Sequence, residues 1–214
     1  KDIVTKKNPV HAVVLNSGIA NACTGLEGKE INYFMASEIA GQLEVKPEEV
    51  LTASTGVIGM QMAKEPLAKG AALLKEALSD TTEAGTKAAE AIMTTDTVSK
   101  ESAVSFEADG KVVTLGGMSK GSGMIHPNMA TMLSVTTTDA AIDCDLLQKL
   151  VKEAVADSFN MISVDGDTST NDTMIVMANG LAGNPEITEK NEDYEKFAEA
   201  LKAVNTFLAK KATH

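Results

Sequence analysis

The sequence predicts a layered α/β or α+β fold with much antiparallel pairing. Two patterns carry that expectation. Short β-branched apolar runs are interspersed with stretches of helical periodicity along the chain, and a hairpin signal stands at Ala108-Asp109-Gly110. The composition agrees: 214 residues, 43% hydrophobic and 23% charged, are ordinary for a globular protein and suffice for one domain or two small ones.

In chain order, His11 to Leu15 reads as a buried strand that ends in a turn at Asn16-Ser17-Gly18. A small-residue stretch reaches Gly25, and Ile31 to Leu43 has the spacing of a helix. Val50 to Ser54 is a second strand running into Thr55-Gly56-Val57-Ile58-Gly59. Glu65 to Leu78 and Thr82 to Met93 are helices, stopped by Thr94-Thr95-Asp96-Thr97. Ser102 to Leu115 forms the hairpin. The glycine-rich run from Gly116 then reads as a loop and as a candidate domain boundary. Thr131 to Thr138 is a strand, and Asp145 to Phe159 a helix with Asp143 or Asp145 as N-cap. A polar loop over 164–173, a strand from Met174 to Ala178 and an amphipathic helix from Glu189 to Lys211 complete the chain.

Charge and composition narrow the function. The formal charge is −11, and all 19 basic residues are lysine. Nucleic-acid binding is not expected, because phosphate contacts need a dense basic face. Without arginine no bidentate fork can hold a carboxylate, so an anion site must use lysine, hydroxyls or backbone N–H groups. No apolar run approaches the length of a membrane span, and the polar start from Lys1 to Pro9 is unlike a signal peptide, so a cytoplasmic location is expected. The only cysteines, Cys23 and Cys144, read as reduced, small, buried hydrophobes. His11, His126 and His214 have no zinc spacing. Asp165-Gly166-Asp167 begins like a calcium loop. However, its glycine falls at the second position and Val176 stands where the closing glutamate belongs, so no metal is expected. The same loop, Asp165 to Asp172, reads as backbone bracing through Asx turns.

One run stands apart: Lys120-Gly121-Ser122-Gly123-Met124-Ile125-His126-Pro127-Asn128-Met129-Ala130-Thr131-Met132-Leu133. It is similar to the processing site of the ornithine acetyltransferase family, the bifunctional glutamate N-acetyltransferases of arginine biosynthesis. Further segments resemble that family in the same order. They are Asn16 to Gly25, Ser54-Thr55-Gly56-Val57-Ile58-Gly59, Thr94-Thr95-Asp96-Thr97, and Phe159-Asn160 followed by Val164 to Thr173.

The resemblance implies a layered α-β-β-α sandwich of N-terminal-nucleophile type. It implies self-cleavage between Ala130 and Thr131, giving an α-chain-like part (1–130) and a β-chain-like part (131–214) that assemble as an α/β heterotetramer. Thr131 then becomes the nucleophile, with its own freed amine as general base. Acetyl passes by a ping-pong route from N-acetylornithine to Thr131 and on to L-glutamate; family members differ in whether acetyl-CoA is a second donor. Thr55 and Gly56 match the oxyanion-hole pair, and Thr94 and Lys120, with Thr131, the substrate-binding positions. No cofactor, nucleic acid or membrane is expected to take part.

The family is longer than this chain. The sequence is expected to correspond to its middle half, beginning inside the α part and ending before an Asp-Gly-Glu-Gly-type motif and the C-terminal asparagine and threonine ligands. Two rival readings remain: a self-processing amidase or aminopeptidase with water as acceptor, and a processing-defective, non-catalytic fragment.

Overall fold

The structure is a computed structural model that describes Ile3 and residues 7–123, 132–167 and 169–213. The fold is mixed α/β and divides into two compact units, Lys1–Thr94 and Thr95–His214. The division does not fall in the glycine-rich run. Gly116 lies inside a strand, where the absence of side chains leaves the ladder intact.

The first unit is built on two parallel strands, β1 (Ala12–Ile19) and β2 (Val50–Val57), paired from Ala12↔Val50 to Ile19↔Val57. Helix α1 (Gly25–Leu43) connects them, and a 3₁₀ turn at Pro47–Glu49 leads into β2. Two further helices follow, α2 (Lys64–Ala77) and α3 (Thr82–Ala91). Val14 and Val50 meet Met35, Ala36, Ile39 and Ala40 of α1 and Ala71 of α2 in one apolar cluster. Both strands run past their expected ends. Asn16-Ser17-Gly18 and Thr55-Gly56-Val57 stay in the ladder because small residues face one another across it.

Helix α1 also begins earlier than its apolar spacing suggests. Its start is fixed by side chains: Asn21 Nδ2 donates to Gly28 O at 2.7 Å, and Thr24 Oγ1 donates to Asn21 Oδ1 at 2.6 Å. A Cβ at Gly28 would overlap both side chains. The helix ends where Glu44 takes a left-handed conformation, φ 58°, and returns its N–H to Ala40 O.

The second unit holds a four-stranded sheet in the order β3 (Lys100–Ala108), β4 (Lys111–Lys120), β5 (Leu133–Thr138), β6 (Thr173–Ala178). The first two pairings are antiparallel and the last is parallel. The β3–β4 connection is the expected two-residue turn, with Asp109 and Gly110 at φ 46° and 71°.

Helix α4 (Cys144–Ala156) starts at Asp143, whose side chain accepts from Leu146 N at 2.9 Å. Helix α5 (Glu192–Ala212) starts at Asn191, which accepts from Tyr194 N at 2.9 Å. Along one face α5 presents Phe197, Leu201, Val204 and Leu208, all fully buried, to Val113 and Leu115 of β4. Phe106 meets Phe197 edge to face at 6.1 Å. None of the described helices is long and apolar enough to cross a membrane.

Candidate functional site

In the first unit the site-bearing segment is the end of β2. Thr55 pairs with Ser17 and Gly56 with Gly18. Thr55 is 1% exposed, and its Oγ1 has no hydrogen-bond partner among the described residues. A buried hydroxyl left unpaired costs about 1–3 kcal/mol, so such an atom calls for a functional explanation. Gly56 sits at φ 125°, and a Cβ there would overlap the backbone carbon and oxygen of Gly18. The pair is therefore a hydroxyl beside a backbone that only glycine can form. Ser17 Oγ donates to Ala91 O at 2.7 Å, tying β1 to the last residue of α3. Thr94 follows that helix in an exposed bend.

In the second unit the site-bearing segment is the end of the sheet where β4 stops and β5 starts. Lys120 is the last residue of β4, 2% exposed, and stands opposite Leu133 of β5. Leu133 in turn stands opposite Thr173 of β6. One residue further out, two carboxylates take backbone N–H groups. Asp96 Oδ1 accepts from Gly121 N at 2.8 Å, and Asp172 Oδ1 accepts from Met132 N at 2.9 Å. Asp96 is also ion-paired with the buried Lys100.

Burial holds the Lys120 ammonium below its usual pKa. Lys100 adds to that effect, while Asp96 and Asp172 oppose it. Burial pushes the Asp172 carboxyl up to about 6, against the pull of the Met132 N–H, the Ser169 hydroxyl and Lys120.

The residues singled out from the sequence thus fall into two groups. Thr55 and Gly56 are adjacent and buried or half-buried, and Lys120 is not a solvated loop lysine but the buried end of a strand. Ala130 and Thr131 lie outside the described residues. Asp96 and Asp172 are the polar residues that reading by motif passed over. Asp96 was visible in Thr94-Thr95-Asp96-Thr97. Asp172 lay in the loop read as bracing, which it partly is: Asp167 N donates to Asp165 Oδ1 at 3.2 Å, an Asx turn. Burial and the bond from Met132 N separate Asp172 from those neighbours. Cys23 and Cys144 are free and exposed, contrary to the buried role expected of them. Cys23 sits at φ 58° just ahead of α1, and Cys144 opens α4 on its solvent side. Among the described residues no group of three or more His, Cys, Asp or Glu could hold a metal ion.

The fold is a mixed α/β one in which a buried hydroxyl-glycine pair and a buried lysine flanked by carboxylates are the polar centres. Comparison with known proteins gives its family. The ArgJ family matches residues 1–214, and the chain belongs to that family. It is 52% identical to the arginine biosynthesis bifunctional protein ArgJ of Symbiobacterium thermophilum over 96% of its length and 51% of the relative's. It is 54% identical to ArgJ 1 of Clostridium acetobutylicum over 94% and 49%. The chain therefore spans about half the length of these curated relatives.

Two solved structures are similar. The arginine biosynthesis bifunctional protein ArgJ of Bacillus halodurans matches with a TM-score of 0.51 at 41% identity, over 56% of this chain and 61% of that one. The ornithine acetyltransferase of Mycobacterium tuberculosis, solved in complex with ornithine, matches with a TM-score of 0.52 at 35% identity, over 59% and 67%.

Proposed function

We propose that this chain carries the acyl-transfer centre of an ornithine acetyltransferase, a self-processing enzyme of arginine biosynthesis. Thr131 Oγ attacks the Ala130 carbonyl, the peptide shifts to an ester, and water hydrolyses it. The resulting parts are 1–130 and 131–214, each continued by whatever the full-length protein adds. The freed amine of Thr131 has a reference pKa of about 7.7–8.0 and serves as general base.

In the first half-reaction Thr131 Oγ attacks the acetyl carbonyl of N-acetylornithine, its proton passes to the amine, and the amine returns a proton to the departing ornithine nitrogen. In the second, the amine of L-glutamate attacks the acetyl ester. Thr55 Oγ1 and Gly56 N–H donate to the oxyanion in both halves. Lys120 pairs with the substrate carboxylate, Thr94 contributes a hydroxyl to substrate binding, and acetyl-CoA is a candidate second donor. The working form is an α/β heterotetramer in the cytoplasm.

The observation that supports this reading best is Lys120, a buried lysine in a chain without arginine, at the end of β4 across the ladder from Leu133, with burial holding its ammonium below the usual pKa. The test uses the full-length protein with N-acetylornithine, with and without glutamate. Sustained release of ornithine only when glutamate is present, lost in Thr131→Ala together with cleavage, is the expected result. Turnover without glutamate would point to hydrolysis instead, and normal cleavage in Thr131→Ala would remove the nucleophile.

A further inference from the structure

Just past β4 the chain is stitched to the segment that precedes β3. Asp96 Oδ1 accepts from Gly121 N at 2.8 Å, and Thr95 Oγ1 and Ser122 Oγ share a hydrogen bond of 2.8 Å. The same Asp96 oxygen is ion-paired with Lys100, the first residue of β3, which stands opposite Ser119 in the β3–β4 ladder. Both side chains of that pair are withdrawn from solvent, 0% exposed for Asp96 and 2% for Lys100. Gly121 N–H and the Lys120 carbonyl belong to one planar peptide group, so a carboxylate that holds the N–H also holds the C-terminal side of Lys120. A buried ion pair adds little stability over apolar residues of the same volume, so a pair placed beside the end of β4 calls for a reason other than stability.

We propose that Asp96 is a positioning residue for Lys120: its carboxylate ties the peptide group after Lys120 to the Lys100 ammonium at the start of β3, and so fixes the point from which Lys120 meets the substrate carboxylate. This role rests on the one proposed for Lys120. Charge works alongside the clamp. The charged groups that act on Lys120 among the described residues are Asp96 ahead of β3, Lys100 on β3 and Asp172 in the loop before β6. Burial lowers the Lys120 pKa, Asp96 raises it, Lys100 lowers it further and Asp172 raises it. Asp96 therefore favours the cationic form of Lys120, and Lys100 opposes it.

The test measures kcat and KM for acetyl transfer from N-acetylornithine to glutamate from pH 6 to 10 in the full-length protein, with far-UV circular dichroism to confirm folding. Two double variants isolate the clamp without leaving a lone buried charge. Asp96→Asn with Lys100→Met keeps an acceptor for Gly121 N, and Asp96→Ala with Lys100→Met does not. The second should have a KM about 10-fold above the first, the worth of one hydrogen bond, with kcat changed less. Single variants test the charge. Asp96→Asn should move the basic limb of kcat/KM to lower pH and Lys100→Met to higher pH; a shared loss of packing cannot produce opposite shifts. Should either single variant fail to fold, the double variants still decide. Lys120→Met is the control: it should raise KM and abolish the limb that the single variants move. Equal KM in the two double variants, or shifts of the same sense in folded Asp96→Asn and Lys100→Met, would overturn the role of Asp96 while leaving that of Lys120 intact. An unchanged KM in Lys120→Met would overturn the role of Lys120, and that of Asp96 with it.

Discussion

Gly56 offers the sharpest test of how the first unit is built, because Gly18, its partner across the β1–β2 ladder, is a ready control. Both glycines have positive φ, 125° and 109°, so alanine at either position pays backbone strain of about 1–3 kcal/mol. They differ in space. A Cβ at Gly18 would meet nothing within 4 Å, whereas one at Gly56 would run into the Gly18 backbone. Backbone cannot rotate aside as a side chain can, so Gly56→Ala carries an overpacking cost of about 1–3 kcal/mol on top of the strain. At roughly 2–4 °C per kcal/mol for a chain of this size, Gly56→Ala should melt about 2–12 °C below Gly18→Ala. Calorimetry on the two variants measures the difference, with far-UV circular dichroism as a check that both fold. Equal melting temperatures, or a milder effect at Gly56, would refute the close approach of the two strands and the reason given for glycine beside Thr55.

Three other outcomes follow from named residues. Thr55→Ala should leave the fold intact, since no bond among the described residues is lost, yet slow transfer by about 10²- to 10³-fold, as removal of one oxyanion donor does; single-turnover acetylation measures it. Lys100→Met removes the buried ion-pair partner of Asp96 and should destabilise the protein by about 3–5 kcal/mol in urea unfolding. Asp172 binds its proton more tightly in the folded state, pKa about 6, than in the unfolded chain, about 3.9. The folded protein therefore holds the extra proton between those values, and stability should decline as pH rises from about 4 to 6 and then level off. Asp172→Asn should flatten that segment of the curve, measured by denaturant midpoints across the range.

Much of the fold is legible locally because local chemistry decides it. Asp109-Gly110 dictates a two-residue turn by its left-handed backbone, and Asp143 marks the start of α4 through the bond it accepts from the backbone N–H of Leu146. The misread segments are those where a partner strand overrides local preference. Asn16-Ser17-Gly18 and Gly116-Gly117 look like turns, but each lies in a ladder, and Gly117 is further constrained because a Cβ there would crowd Thr136 and Val204. Residues 25–30 of α1 lie ahead of its apolar spacing because they are held by the Asn21, Thr24 and Gly28 contacts rather than by an apolar stripe.

Thr55, Gly56 and Lys120 stand out in the sequence only through resemblance, since nothing in a single threonine or lysine announces burial. Asp172 was not singled out from its loop because Asp165, Asp167 and Asp172 look alike in sequence. Only the last is brought against a strand backbone and away from water.

The central claim is that a threonine freed at the 130–131 junction carries the acetyl group. Intact mass spectrometry of the full-length protein, before and after incubation with N-acetylornithine in the absence of glutamate, tests it most directly. The account predicts two chains divided between Ala130 and Thr131, with one acetyl group added to the chain that begins at Thr131 and removed when glutamate is supplied. A single undivided chain, or acetyl found on any other residue, would contradict it.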